Sequence, residues 1–225
     1  MCGPSRSSAE RPYRKAKEPP VTSRRILAAV FIGALLPPGA GAASDVAWRV
    51  DPIHTRASFS LSHWVISRVD GHIPLKAMTL STASGSLIPT AVDVTLDVAN
   101  ESTDNDMRDN DLKSPTYFDI AKYPTAHFRA TKIVASGPKD FTMTGDLTIK
   151  DVTKSVSIPV HIEGTIPSRG GVRVVYTAQF HIDRRDYHMV DQGLTAAGVL
   201  VVGNDATIGL SVDATTTDLS IKPGL

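Results

Sequence analysis

Val172-Arg173-Val174-Val175-Tyr176-Thr177-Ala178-Gln179-Phe180-His181-Ile182-Asp183 sets apolar side chains at every second position. Val172, Val174, Tyr176, Ala178, Phe180 and Ile182 share one phase, and Arg173, Thr177, Gln179, His181 and Asp183 share the other. Successive side chains of a strand point to opposite faces, so the stretch predicts a strand with one greasy and one wet face. The same period recurs on both sides of it. Ala57, Phe59, Leu61 and His63 alternate with serines, and Val92, Val94, Leu96 and Val98 with Asp93, Thr95 and Asp97. Phe141, Met143, Leu147 and Ile149, then Val156, Ile158, Val160 and Ile162, follow the rule, and Ile208, Leu210 and Val212 close the series. Such repetition marks an antiparallel sheet with one side on a core.

Turn signals separate the runs at Ser84-Gly85, Ser136-Gly137-Pro138, Lys150-Asp151, Arg169-Gly170-Gly171 and Gly203-Asn204-Asp205. No run has the βαβ rhythm of a parallel sheet. Residues 102–118 break the pattern, with Ser102 or Thr103 as expected N-cap, and predict a short helix or ordered connection. Smaller connecting helices are expected near 63–67 and 186–192. About eight strands of six to twelve residues, linked as hairpins, predict an all-β up-and-down barrel or a sandwich. Periodicity alone does not choose between them. Nor does it say whether the mixture of Phe, Met, Ala57, Ala178 and Gly145 on the inward face leaves a hollow or packs solid.

The 225 residues are 41% hydrophobic and 21% charged, a globular composition, with a formal net charge of +1. That balance is uneven. The first 42 residues hold seven Lys/Arg and two Asp/Glu, leaving 17 basic against 21 acidic residues beyond them, a net of −4. A mildly acidic body has no general pull toward nucleic acid or anionic lipid. Arg24-Arg25, the apolar run 26–36, Pro37-Pro38-Gly39 and Ala40-Gly41-Ala42-Ala43 have the order of a secretory signal. Eleven residues span roughly 16 Å as a helix, about half a bilayer core. Residues 1–42 are therefore expected to be a removable leader with cleavage near Ala42 or Ala43, and 43–225 a single periplasmic or secreted domain. Ser23-Arg24-Arg25 also partly resembles a twin-arginine signal. The one cysteine, Cys2, falls in the leader, so the mature chain is expected to hold no disulfide and no thiolate chemistry.

Seven histidines invite a metal reading, but His54, His63 and His72 are nine apart, which is no ligand spacing. His127, His161 and His181 fall on wet strand faces. His63 differs in sharing a face with Phe59 and Leu61, where a buried imidazole needs a polar partner. The acidic run 104–111 fails as a calcium loop, lacking Gly at its sixth position and having Pro115 at its twelfth. There is no G-x-S-x-G, H-E-x-x-H, P-loop or G-x-G-x-x-G. No motif supports catalysis or a metal.

Four motifs, in register, resemble the YceI-like family of isoprenoid-binding proteins. They are Asp51-x-x-His54-Thr55-x-x-x-Phe59-x-x-x-His63, then Arg108-Asp109-x-x-Leu112-Lys113-Ser114-Pro115-x-x-Phe118-Asp119 with Tyr123-Pro124 and Phe128. Gly145-Asp146-Leu147-Thr148-Ile149-x-x-Val152-Thr153-Lys154 and Asp183-Arg184-x-Asp186-Tyr187 complete the set. The resemblance spans about residues 46–213. It implies an extended lipocalin-like antiparallel β-barrel of about eight strands, usually periplasmic or secreted, whose apolar tunnel holds a polyisoprenoid chain such as a quinone tail. It implies no catalytic centre. The chain departs from the family pattern at Asp151, where Gly is common, at Ser155, where Pro is common, and at His188, where Gly often follows the aromatic.

On that resemblance the expected tunnel lining is Phe59, Leu61, Leu96, Met107, Leu112 and Phe118 from the first half. Phe128, Phe141, Met143, Leu147, Tyr176 and Phe180 complete it from the second. His63, Asp109, Arg184 and Asp186 are the candidates for a polar head group or the tunnel mouth. No cofactor is expected beyond a bound isoprenoid lipid or quinone. Two competing readings stay open: an enzyme using His63 with Asp109 or Asp186 as acid and base, and a solid barrel whose rim docks a membrane redox partner.

Overall fold

Alternating segments become strands when a neighbour supplies a ladder of N–H and C=O partners. The computed structural model describes residues 45–190, 193–196, 198, 200–222 and 224, so the expected leader and its cleavage site lie outside the described residues. The first five strands are β1 (Asp45–Val50), β2 (Arg56–His63), β3 (Ser67–Ile73), β4 (Leu75–Ala83) and β5 (Pro89–Asp97). After helix α1 (Asp106–Leu112) come β6 (Thr125–Ala135), β7 (Asp140–Ile149), β8 (Val152–Ser168), β9 (Gly171–Asp183) and β10 (Val202–Thr216). β8 and β10, at 17 and 15 residues, are longer than their alternating runs predict.

All pairings are antiparallel, in the order β1-β4-β5-β6-β7-β8-β9-β10-β2-β3, and β1 pairs back onto β10. β2 and β1 lie end to end along one edge of β10, while β3 and β4 lie end to end against them. Taken as continuous staves, the segments form a closed eight-stranded barrel. This is the lipocalin-like architecture, and the closure rules out a sandwich.

Both interruptions fall at prolines, which lack the N–H a ladder needs. Pro74 separates β3 from β4. At the other break, Asp51 N–H donates to the Asp213 carbonyl at 2.8 Å and Thr55 N–H to the Asp51 carbonyl at 3.0 Å. Asp213 N–H donates to Thr55 Oγ1 at 3.2 Å, and Arg173 Nη1 to Asp213 Oδ2 at 2.9 Å. The Asp51-x-x-His54-Thr55 motif is thus a clasp that turns the chain between two staves.

Three local expectations are corrected. Residues 63–67 form no helix: Trp64–Ile66 are the tight turn of the β2–β3 hairpin. Gly203-Asn204-Asp205 is a bulge inside β10, where pairing with β2 skips from Val202 to Ala206. The N-cap of α1 is Asn105, whose side chain accepts the Arg108 N–H at 3.0 Å, not Ser102 or Thr103. Of the helix expected near 186–192, residues 191–192 lie outside the described residues, and a 3-10 turn forms at Arg184–Tyr187. Tyr187 and Val98 are deeply buried toward one end, and Leu80, Phe141, Ile162, Val174 and Ala214 toward the other. There the segment after β10 crosses the barrel foot, burying Ile221 and exchanging backbone hydrogen bonds between Gly224 and Thr165.

Candidate functional site

Above that foot the barrel is not filled. A central cavity of about 140 Å³ is walled by Phe59, Leu96, Phe128, Leu147 and Phe180 together with Ile73, Val94, Ile158, Ile208 and neighbours. A second, of about 350 Å³, lies at the opposite end between β2, β3, α1 and the turn after β9. The two share Phe59, Ile73, Phe118, Ile149, Ile182 and Ile208. A third, of about 40 Å³, reaches toward the foot and shares Met78, Val92, Met143, Leu210 and Val212 with the central one. The three form a row along the barrel.

Glycines make room for the rings that shape this row. A Cβ on Gly71 would lie 2.3 Å from Phe59 Cζ, and one on Gly145 would lie 2.4 Å from the Arg129 carbonyl oxygen and 2.6 Å from Phe128 Cζ. Both aromatic rings press close to backbone that only glycine leaves bare. Toward the foot, Tyr176 packs edge-on against Phe141 with ring centres 6.1 Å apart, and its hydroxyl donates to the Leu87 carbonyl at 2.8 Å. That pair ends the row.

All twelve apolar residues expected at the tunnel line one of the three cavities. Phe59, Leu96, Phe118, Phe128, Met143, Leu147 and Phe180 face the centre, Leu61, Met107 and Leu112 the mouth, and Phe141 and Tyr176 the foot. The four polar candidates divide. His63 and Arg184 line the mouth cavity beside Asn105, Arg108 and Asp111. His63 is half-buried, with Ser67 Oγ 3.5 Å from its Nδ1 and the Trp64 ring edge-on at 5.8 Å. Arg184 is buried and donates to the Met189, Gly203 and Val202 carbonyls at 2.6, 3.0 and 3.3 Å, tying the mouth rim together.

Asp109 and Asp186 do not line the cavity. Asp109 accepts from Thr103 N–H at 2.9 Å, from Thr103 Oγ1 and from Ser102 Oγ, clamping α1 onto the loop before it. The Thr103 hydroxyl, more than any other group, holds its carboxyl below the usual range. Asp186 sits outside, paired with Lys154 at 2.7 Å. Neither is placed with His63 as an acid–base pair in the cavity. Sequence reading missed Glu101, which is 3% exposed. Among the described residues no donor reaches either of its carboxylate oxygens. Burial, with the charge of Asp109, pushes its pKa up to about 7. Among the described residues no three His, Cys, Asp or Glu side chains are grouped to hold a metal ion.

The profile of the YceI-like domain matches residues 48–214. This chain belongs to the YceI-like family. The YceI-like chain is 30% identical over 176 residues to the "UPF0312 protein" of Pseudomonas savastanoi pv. phaseolicola, spanning 77% of this chain and 91% of that one. The crystal structure of a Campylobacter jejuni YCEI protein superposes on it with a TM-score of 0.58 at 26% identity, over 68% of this chain and 88% of the other. A polyisoprenoid-binding domain from Saccharophagus degradans, implicated in plant cell wall breakdown, superposes with a TM-score of 0.55 over 76% of this chain and 99% of its own. At 12% identity that likeness concerns the YceI-like fold alone.

Proposed function

We propose that this YceI-like barrel binds and carries an isoprenoid amphiphile, such as an isoprenoid quinone, without transforming it. The row of apolar cavities that opens among polar groups carries this reading. A branched hydrocarbon tail would occupy the central cavity, and the head group would meet His63, Arg108, Asp111 and Arg184 at the mouth. Apolar hollows of roughly 150 Å³ stay dry and accept small hydrocarbons, so the centre is prepared for a tail rather than for water. Each buried methylene is worth about 0.8 kcal/mol, and a few isoprene units suffice for micromolar affinity after association costs. The Saccharophagus domain described as polyisoprenoid-binding supports the same class of ligand. An exported chain would meet such lipids at a membrane face, in keeping with the leader read from residues 1–42.

The test is organic extraction of purified protein followed by mass spectrometry, with fluorescent prenol titration of the emptied protein. A prenyl species and saturable binding are expected. Protein that carries no lipid and binds no long-chain prenol would overturn the proposal.

A further inference from the structure

Six of the ten large hydrophobic side chains exposed among the described residues belong to one end of the barrel. Trp64, Val65 and Ile66 form the tip of the β2–β3 hairpin, with Trp64 50% and Ile66 92% exposed. Met107, 78% exposed, also lines the mouth cavity. Val190 follows the cavity-lining Met189. Leu194 bridges to Leu200, next to Val201, whose carbonyl accepts the Trp64 N–H at 2.8 Å. Together they gather beside the mouth cavity, which Met107 and the neighbouring His63, Met189 and Val202 line.

The tip is costly in backbone as well as in hydration. Trp64 and Val65 have φ of 52° and 67°, the left-handed region that Asn and Gly adopt readily and a β-branched residue does not. A relaxed, soluble turn would carry Asn-Gly here. Bulky apolar residues held in that conformation, side by side and uncovered, mark a surface made for a partner.

The mouth itself indicates which partner. A tail that fits the apolar row is stored in membranes and has negligible concentration in water, so mouth and bilayer must meet. Trp64–Ile66 carry no charge, so the tip enters hydrocarbon without dragging an ion with it, and an indole settles at the lipid–water interface. The acidic body offers no long-range attraction to anionic lipid, which leaves apolar insertion as the means of docking. We propose that the Trp64–Ile66 tip, flanked by Met107, Val190 and Leu194, seats the barrel mouth on a lipid bilayer. The choice of a bilayer rests on the lipid-carrier reading above.

The chain contains two tryptophans, and the other, Trp48, is buried with its Nε1 donating to Thr82. Trp64 therefore reports on the tip. The full chain is mixed with phosphatidylcholine vesicles containing brominated acyl chains and no prenyl lipid. Quenching of the fluorescence that Trp64→Phe removes is expected, and it should persist between about 0.1 M and 0.5 M salt because no ion pairs mediate it. Val65→Asn/Ile66→Ser, which relieves the turn, should keep the fold and prenol binding in solution and lose Trp64 quenching at least tenfold. Unquenched Trp64 in a protein that still binds prenol would overturn the docking proposal. So would a vesicle-independent dimer that the double variant abolishes, since a second copy would then cover the rim. Quenched Trp64 in a protein without affinity for prenols would uphold docking and sink the carrier reading instead.

Discussion

His188 Nδ1 lies 3.3 Å from Asp151 Oδ1, linking the turn after β9 to the β7–β8 hairpin at the mouth end of the barrel. Both are positions at which the resemblance leads to an expectation of glycine, and they meet each other. Lys150 completes the strap, its Nζ donating to the His188 and Pro115 carbonyls, both at 3.3 Å. The imidazole points to solvent and leaves the cavity unobstructed. His188 has a left-handed backbone, φ 59°, which is the physical reason glycine suits that place.

His188→Gly removes an exposed pair of small worth and relaxes that backbone. Thermal unfolding should show unchanged stability or a gain of about 0.5–1 kcal/mol. A clearly lower Tm would mean that the contact with Asp151 outweighs the strain.

Glu101 makes stability depend on pH. Its folded-state pKa, raised from 4.5 to about 7 by burial and by Asp109, means that the native state holds the proton more tightly than the unfolded chain. The contribution of Glu101 to stability is therefore fully present below 4.5, is lost as pH rises toward about 7, and changes no further above it. Glu101→Gln should abolish that fall and add about 1–3 kcal/mol at pH 8. Urea unfolding at pH 4.5 and pH 8 checks both the sign and the size.

Asp213 is buried, and its Oδ2 is held by Arg173 while, among the described residues, nothing reaches Oδ1. Removing the guanidinium strands a carboxylate under the β1–β2 clasp. Arg173→Met should cost about 2 kcal/mol or more, and adding Asp213→Asn should restore part of it. A cost below about 0.5 kcal/mol in guanidinium unfolding would show that solvent screens the pair.

Val94 borders the central cavity. Val94→Phe places a ring in existing space, so stability should change by less than about 1.5 kcal/mol. Prenol affinity should fall at least tenfold. Unchanged affinity would locate the tail elsewhere.

Much of the wall was legible because a period of two assigns each residue to a face. Alternation alone puts Phe59, Phe141 and Phe180 on the inward face. Leu112 and Phe128 stand in the resembling motifs, Met107 is a sparse apolar point in 102–118, and α1 brings Met107 and Leu112 to the mouth. Asp109 and Asp186 were misplaced as mouth residues for a related reason. A carboxylate in a motif looks the same in sequence whether it faces a ligand, as expected, or clamps Thr103 and pairs with Lys154, as found. Glu101 left no signal, since burial without a partner depends on what the loop and α1 do together.

The sequence by itself determined the antiparallel strands, the inward set of side chains and the family, because those follow from neighbours one or two residues apart and from motif order. Only the tertiary structure decided that β1 closes onto β10 and that Phe59 and Phe128 press against Gly71 and Gly145. It alone showed that the enclosed space stays open. Whether opposite walls touch depends on distances across the barrel, between residues far apart in the chain, and no local pattern encodes those.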